Sequence, residues 1–556
     1  MAPTEPKQTQ EIAPVLISDK ESERIVLPLP VGFEPIGKVV HWQTTPSFTE
    51  AAALLNAGAD VKPGQFVGVW HGNRGDPFLT ILQVANCREV NPNEDPELAV
   101  ARDRLGLGSA YAKEGISTRI FRLLEGPTIE ELEVSGIAGA DQGNQTATAV
   151  QRLVRAGDPV LLLNEHVIAQ TVGLLPKREL GLHIGDVYGD QPLATVLPPG
   201  MLQMHVFVSG NPGKGKSYFL GVLMEEARKW NIPILLLDVN GEMAETARSV
   251  GGLVITLPDP SKFGLSLSLI TSPELIQITP NVQEGTVYAE LIELAHERTK
   301  TAKKGQHFTF TELHSAIDQI AQTQDVKGSS LGIAHARLRA LEQDPIVGGS
   351  FDFIDQLVKH GLVVLDCRFL SLRQTRLIAA AGARELQRYG REMAQKAGTG
   401  DQEANKWFSV LMVDEAHQVA PNDEQVVSSQ VMFELARMGR HVRTGLVLSS
   451  QSPADLNSSV LKRTQTRFIF ALEKDQIRAI QGVTADLDER LLAQLPKLPR
   501  GVCAVSGSSE IVRHGFLMKV RQRETPVGGS TPKVFDGRVK GNLAVKRTPE
   551  VSKKNN

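Results

Sequence analysis

"VSGNPGKGKSYFL", Val208 to Leu220, carries the pattern Gly210-x4-Gly215-Lys216-Ser217. This is the spacing of a phosphate-binding loop, whose glycines let backbone N–H groups converge on phosphate oxygens. "MHVFVSG" before it reads as a strand, and "GKSYFLGVLMEEARKW" after it as a helix. That context raises a motif match to a working assignment, with the helix N-terminus adding its positive dipole end. Gly210, Asn211, Pro212, Gly213, Lys214, Gly215, Lys216, Ser217 and Tyr218 are therefore expected around a nucleoside triphosphate. Lys216 is expected to neutralise the β/γ-phosphates and Ser217 to join the shell of a Mg2+ ion. Pro212 and Lys214 are unusual inside such a loop. Pro212 stiffens it by fixing φ, and Lys214 adds a second cation if it points inward.

Outward from the loop, strands and helices alternate. "IPILLLDVNGE", "GLVVLDC", "FSVLMVDEA", "GLVLSSQ", "RFIFALE" and "GVCAVSG" are nearly continuous apolar runs, which implies parallel β-α units buried on both faces. Between Pro273 and Pro345 helices take over. Thr309-x-x-Glu312 is a capping-box pattern opening a helix with Leu313, Ile317 and Ile320 on one face. Leu331, Ala334, Leu338 and Leu341 form the seam of another. From about residue 25 to 200 the pattern is short apolar runs broken by Gly, Pro and Asn, the signature of a small β-barrel or sandwich. "ELAVARDRLGLGSAYA" interrupts it as a helical excursion. The expected division is a disordered tail (1–24), a β-barrel (25–200), an α/β domain (201–272 and 346–525) interrupted by a helical insertion (273–345), and a C-terminal extension with a basic tail (526–556).

Four further stretches carry chemistry. Asp414 and Glu415 end an apolar strand; the first is placed to hold Mg2+ through water and the second to polarise an attacking water. Gln451 ends another strand, where a neutral amide orients that water or senses the γ-phosphate, unless it is only a polar strand end. "ELARMGRHVRTG" clusters Arg437, Arg440 and Arg443, either an arginine finger for a neighbouring subunit or a solvated basic helix end. Asp238, Asn240 and Glu242 end the second strand near the γ-phosphate position, where Asp238 either serves the site or caps its turn.

Bulk composition narrows the partners. The net charge of −3 gives no global basic field, so any nucleic-acid contact is local. Three cysteines far apart in sequence supply neither a disulfide framework nor zinc spacing, which fits a cytoplasmic protein. The polar N-terminus lacks a signal-peptide h-region, and no run of 18 apolar residues offers a membrane span. Lys300, Lys303 and Lys304 read as a solvated loop or as channel-lining residues.

Together, "HVFVSGNPGKGKS", "LLLDVNGE", "VDEAHQVAP", "GRHVRTGLVLSSQSPADL", "RTQTRFIFALE" and "VRQRETPVGGSTP" resemble the HerA branch of the HerA/FtsK ATPases. The β-rich region, with "IGKVV" and "GLHIGDV", looks like the HAS-barrel of that family. The resemblance spans roughly residues 33 to 535. It implies a RecA-like P-loop motor domain with a helical insertion behind an all-β barrel, assembled as a homohexamer with DNA in a central channel. ATP and Mg2+ would lie between neighbours, with Lys216, Ser217, Asp414, Glu415 and Gln451 on one side and Arg440 as the trans arginine finger. It further implies a partner nuclease of the NurA type, or an antiphage effector such as a nuclease or sirtuin-like NADase. Relatives often carry an arginine where this chain has Met204, and Gln-Arg-Pro where it has Gln451-Ser452-Pro453. These departures suggest a divergent member, of the defence-system kind. The expected function is an ATP-driven DNA translocase or helicase in end processing or defence. The alternatives are a nucleotide-gated scaffold for an effector and, weakened by the absence of a membrane segment, a secretion-type ATPase.

Overall fold

The computed structural model describes residues 27–30, 32–41, 46–90, 121–134, 147–189, 193–324 and 326–526. The expected N-terminal tail, the helical excursion at 97–112 and the basic tail lie outside the described residues. The first sheet contains β1 (Glu34–Val40), β2 (Glu50–Leu55), β3 (Phe66–Trp70), β4 (Phe78–Gln83), β5 (Asn86–Val90), β6 (Phe121–Glu133), β7 (Ala147–Thr148) and β8 (Pro159–Leu162). Pairing runs β2-β1-β8-β3-β4-β6, and β6 pairs back to β2, so six strands close into a barrel. Closure leaves those strands without a free edge. The long β6 makes this possible by pairing with β2, β4, β5 and β7 along its length. Gly126 sits where it changes partners, and a Cβ there would lie 1.8 Å from the Gln83 carbonyl oxygen.

The second sheet has eleven strands: β9 (Leu182–Val187), β10 (Ala194–Leu197), β11 (Val206–Ser209), β12 (Ile234–Asp238), β13 (Leu253–Thr256), β14 (Leu362–Asp366), β15 (Ser409–Val413), β16 (Thr444–Ser450), β17 (Thr466–Ile469), β18 (Val502–Gly507) and β19 (Phe516–Val520). Their order is β10-β9-β19-β18-β17-β11-β16-β15-β12-β14-β13. From β17 to β13 every pairing is parallel, as continuous apolar runs require. The other four strands add on antiparallel. "GLHIGDV", placed at the end of the barrel on sequence, supplies β9 and pairs with β19 of this second sheet. A short amphipathic strand has the same period in either sheet, so periodicity does not say which one it joins.

Helices cover the second sheet. α1 (Lys216–Lys229) follows the glycine-rich loop. α2 (Val287–Ala302), α3 (Phe310–Thr323) and α4 (Gly328–Leu341) fill the interval where helices were expected. The capping box forms: Glu312 accepts from the Thr309 N–H at 2.8 Å, and Thr309 Oγ1 from the Glu312 N–H at 3.4 Å. Lys303 pairs with Glu312, while Lys300 belongs to α2 and donates to the Ile270 carbonyl at 2.9 Å. The long α5 (Leu372–Gly398) and α6 (Val427–Met438) pack on the sheet beside them.

One apolar cluster runs from the barrel (Phe66, Trp70, Leu79) into the second domain (Val206, Phe219, Phe468). Polar ties flank it: Gln83 donates to the Gly515 carbonyl, Gln494 to the Ala85 carbonyl, and Arg490 pairs with Glu50, each at 2.8 Å. Replacing Gly126 with alanine is expected to destabilise the barrel by at least about 1–3 kcal/mol, the typical result of overpacking. Urea unfolding followed by tryptophan fluorescence measures it; an unchanged midpoint would show that β6 tolerates a Cβ at its partner change.

Candidate functional site

All seven parallel strands point the same way, so the loops after them share one edge of the sheet. The loop after β11 turns tightly: Gly210, Gly213 and Gly215 have φ of 158°, 74° and 122°. The ring of Phe470 and the Gly501 backbone crowd this turn. A Cβ on Gly210 would meet Phe470 at 2.5 Å, and one on Gly215 would meet Gly501 at 3.4 Å. Backbone bonds fix it further, Asn211 N–H to Ala471 O at 2.8 Å and Gly501 N–H to Lys214 O at 2.9 Å. Pro212 and Gly213 are exposed, Lys214 and Ser217 half-buried, and Lys216 buried in the first turn of α1.

Asp414 and Glu415 follow β15, two strands away, and both are buried. Burial, then the charges of Glu415 and Asp238, pushes the Asp414 carboxyl up to about 7, with Lys216 pulling the other way. Lys216, Asp414 and Asp238 therefore share one electrostatic site. Asp238 itself accepts from the N–H groups of Glu242 and Met243 at 3.1 and 2.8 Å, so it caps its turn while its charge reaches Asp414. Burial raises it to about 6.

Glu415 adopts a left-handed backbone, φ 48° and ψ 51°, a conformation that costs an L-residue roughly 1–2 kcal/mol. The turn aims its carboxylate back across the strand ends. One oxygen accepts from the Asn240 amide at 3.3 Å. The other, Oε2, is buried without a hydrogen-bond partner and lies 3.5 Å from His417 Nδ1. His417 in turn is 3.0 Å from Ser450 Oγ, directly before Gln451 at the end of β16. Phosphate loop, acid pair and Gln451 thus lie at the C-terminal ends of β11, β15 and β16.

The three arginines separate. Arg443 is a buttress, donating to the Ala404 and Asn405 carbonyls at 2.7 Å each. Arg437 lies in the last turn of α6, and Arg440 lies past the helix end. Arg440 is half-exposed and reaches Glu510 at 3.2 Å. With Lys462 and Arg463 these two arginines line a cleft of about 260 Å3. The cleft lies where the chain enters β11 and β16, at the edge opposite the phosphate loop.

Residues 182–386 match the family "Helicase HerA, central domain". A DNA double-strand break repair helicase HerA of Sulfurisphaera tokodaii is 21% identical over 399 residues, covering 68% of this chain and 76% of the relative. A probable DNA double-strand break repair helicase HerA of Methanocaldococcus jannaschii is 35% identical over 101 residues, 18% of this chain and 20% of the relative. The chain is a HerA-like P-loop ATPase. Among solved structures, VirB4 of Thermoanaerobacter pseudethanolicus aligns with 62% of this chain and 98% of its own at a TM-score of 0.44 and 14% identity.

In this HerA-like ATPase the motif "VRQRETP" has a structural job that spacing alone did not reveal. Val520 to Pro526 lie along α1 as a strap. Arg521 Nη2 sits 2.9 Å from Glu225 and 2.7 Å from Glu226, all three buried. Glu225 also accepts from the N–H groups of Glu524 and Thr525 at 3.1 and 2.9 Å. The Arg523 N–H donates to the Tyr218 hydroxyl at 2.7 Å, so Tyr218, expected beside the nucleotide, gives its tip to the strap. Asn240 and His417 stood in quoted stretches, but the Asn240–Glu415 and His417–Ser450 contacts depend on strand order. Arg521→Ala takes away the buried cation that Glu225 and Glu226 share, leaving them backbone donors and the half-exposed Lys229, and is expected to cost about 3–5 kcal/mol. Denaturant unfolding checks this; a loss below about 1 kcal/mol, as for an exposed pair, would contradict the strap's role.

Proposed function

We propose that this ATPase is a Mg2+-dependent DNA translocase or helicase whose ATP sites lie between neighbouring copies of a homohexameric ring. The observation that carries the shared site is the opposition of the two edges. β11 is four residues long, about 13 Å at the usual rise. Arg440 lies beyond its start and the phosphate loop beyond its end, so Arg440 serves a second copy's nucleotide. The relatives' names, helicases of DNA break repair, support DNA as the substrate.

In this reading the loop Gly210–Tyr218 wraps the phosphates and Lys216 neutralises them. Among the described residues no group of three His, Cys, Asp or Glu side chains forms a metal cage. The donors present, the Ser217 hydroxyl and Asp414 carboxylate, suit a Mg2+ that arrives with phosphates and keeps its waters. Mg2+ would neutralise phosphate charge, and its charge would keep Asp414 ionised. Glu415, with one unpartnered buried oxygen, accepts the proton of the attacking water, and Gln451 orients that water. Arg440 of the next copy stabilises charge on the transferred phosphoryl group. The ring works with a NurA-type nuclease or an antiphage effector, which co-purification and mass measurement would reveal. No helix among the described residues is long and apolar enough to cross a membrane.

Glu415→Gln is expected to bind ATP with near-normal affinity while kcat falls about 100-fold or more; Lys216→Ala is expected to lose binding. A Gln variant that hydrolyses normally would remove Glu415 from its role. Arg440→Ala is expected to keep nucleotide and lose about a thousand-fold in kcat. Rings mixed from Arg440→Ala and Glu415→Gln subunits should regain turnover. DNA is expected to stimulate phosphate release at low salt, where channel contacts are least screened. A rate indifferent to single-stranded and duplex DNA would favour the nucleotide-gated scaffold instead.

A further inference from the structure

His205 immediately precedes β11 and is 4% exposed. Its backbone is left of the ordinary range, φ 61° and ψ 138°, an arrangement that a non-glycine residue keeps only when its surroundings hold it there. Three contacts supply that hold. Ring Nδ1 accepts from the Leu446 N–H at 3.0 Å. The ring also takes the Ala436 carbonyl as a partner. Its edge lies against the Gly439 α-carbon, where an added Cβ would come 2.2 Å from Cε1 and 2.7 Å from Nε2.

The positions of these partners matter more than their number. Ala436 is in the last turn of α6 and Leu446 is inside β16. They bracket the segment that carries Arg437, the last turn of α6, and the turn with Gly439 and Arg440. The imidazole therefore bridges the two stems of that turn and fills the space beneath it. Its carbonyl adds a third tie, accepting from Gln465 and Thr466 at 3.1 and 3.2 Å. Gln465 Oε1 is in turn 3.5 Å from Arg440 Nη2. A ring nitrogen that accepts from a backbone N–H carries a lone pair, so the bridge requires neutral imidazole with its proton on Nε2. Burial, which lowers the ring's pKa to about 4, keeps it in that form, and the nearby Arg440 charge acts in the same direction.

We propose that His205 is a positioning residue for Arg440, and so acts on the ATP site of the neighbouring copy although it leads directly into the phosphate-loop strand of its own. This deepens the shared-site reading and rests on it. The two ends of β11 then serve two different nucleotides: Ser209 leads into this copy's phosphate loop, and His205 sets the arginine offered to the next.

Subunit mixing tests this, because it separates defects in a copy's own phosphate site from defects in what it offers its neighbour. His205→Ala rings are expected to bind a fluorescent ATP analogue within about two-fold of the parent. Their kcat should fall about 100-fold, the order that misplacing a catalytic group by an ångström produces. Mixing them with Glu415→Gln subunits should restore turnover, as mixing Arg440→Ala subunits does, whereas Lys216→Ala subunits should not be rescued. Gly439→Ala pushes a Cβ into the ring from the opposite side without altering β11, and it is expected to fall in the same rescued class. It also keeps the question answerable if His205→Ala does not assemble. Rescue of Arg440→Ala without rescue of either His205→Ala or Gly439→Ala would overturn the proposal and place His205 in its own copy's site. Failure to rescue Arg440→Ala itself would instead overturn the shared-site reading, and this proposal with it.

Discussion

The parallel pairing of β11 with β16 on one side and β17 on the other is the constraint from which the rest follows. Hydrogen-bond register aligns Val206 with Val447 and Ser209 with Ser450. The chain leaves both strands at one edge, into the phosphate loop and toward Gln451. It enters both at the opposite edge, through His205 and past Arg440. A sheet this short between its edges keeps the two sets of groups close through the core but never on the same surface. In the proposed reading a complete hydrolysis site takes residues from two copies, and the geometry of one chain becomes an argument for assembly.

Charge is handled differently at the two edges. At the phosphate edge, carboxylates are buried beside one another, and Asp414 is raised to about 7 by burial and by its acidic neighbours. Such a site holds negative charge at a cost until a cation arrives. At the other edge cations gather around an open cleft, with Glu510 paired to Arg440, an arrangement complementary to a phosphate. The strap adds a third arrangement, in which Arg521 settles two buried glutamates on α1 and ties the helix behind the phosphate loop to the end of the described chain.

Much of this was legible in sequence. The glycine pattern, the Asp414–Glu415 pair and the apolar runs announced a tight glycine turn after a strand, an acid pair at a strand end and a parallel sheet, because each depends on local spacing. The capping box at Thr309 was equally local. What stayed hidden depended on strand order. β9 and β10 resemble barrel strands until their partners are known. Asn240 meets Glu415 across a gap of 175 residues because β12 pairs with β15. Arg443 looked equivalent to Arg440 until its bonds to Ala404 and Asn405 committed it to the scaffold. His205 looked like an unremarkable residue beside the departure at Met204; its role is defined by what packs on its ring.

The most direct measurement is turnover per chain across a dilution series, with the assembly state weighed by mass photometry in the same solutions. The account requires phosphate release per chain to fall to background as rings dissociate, while separated chains still bind ATP. Separated chains that hydrolyse ATP at the rate of the ring would contradict it, because Arg440 and the phosphate loop of one copy stand at opposite edges of its sheet.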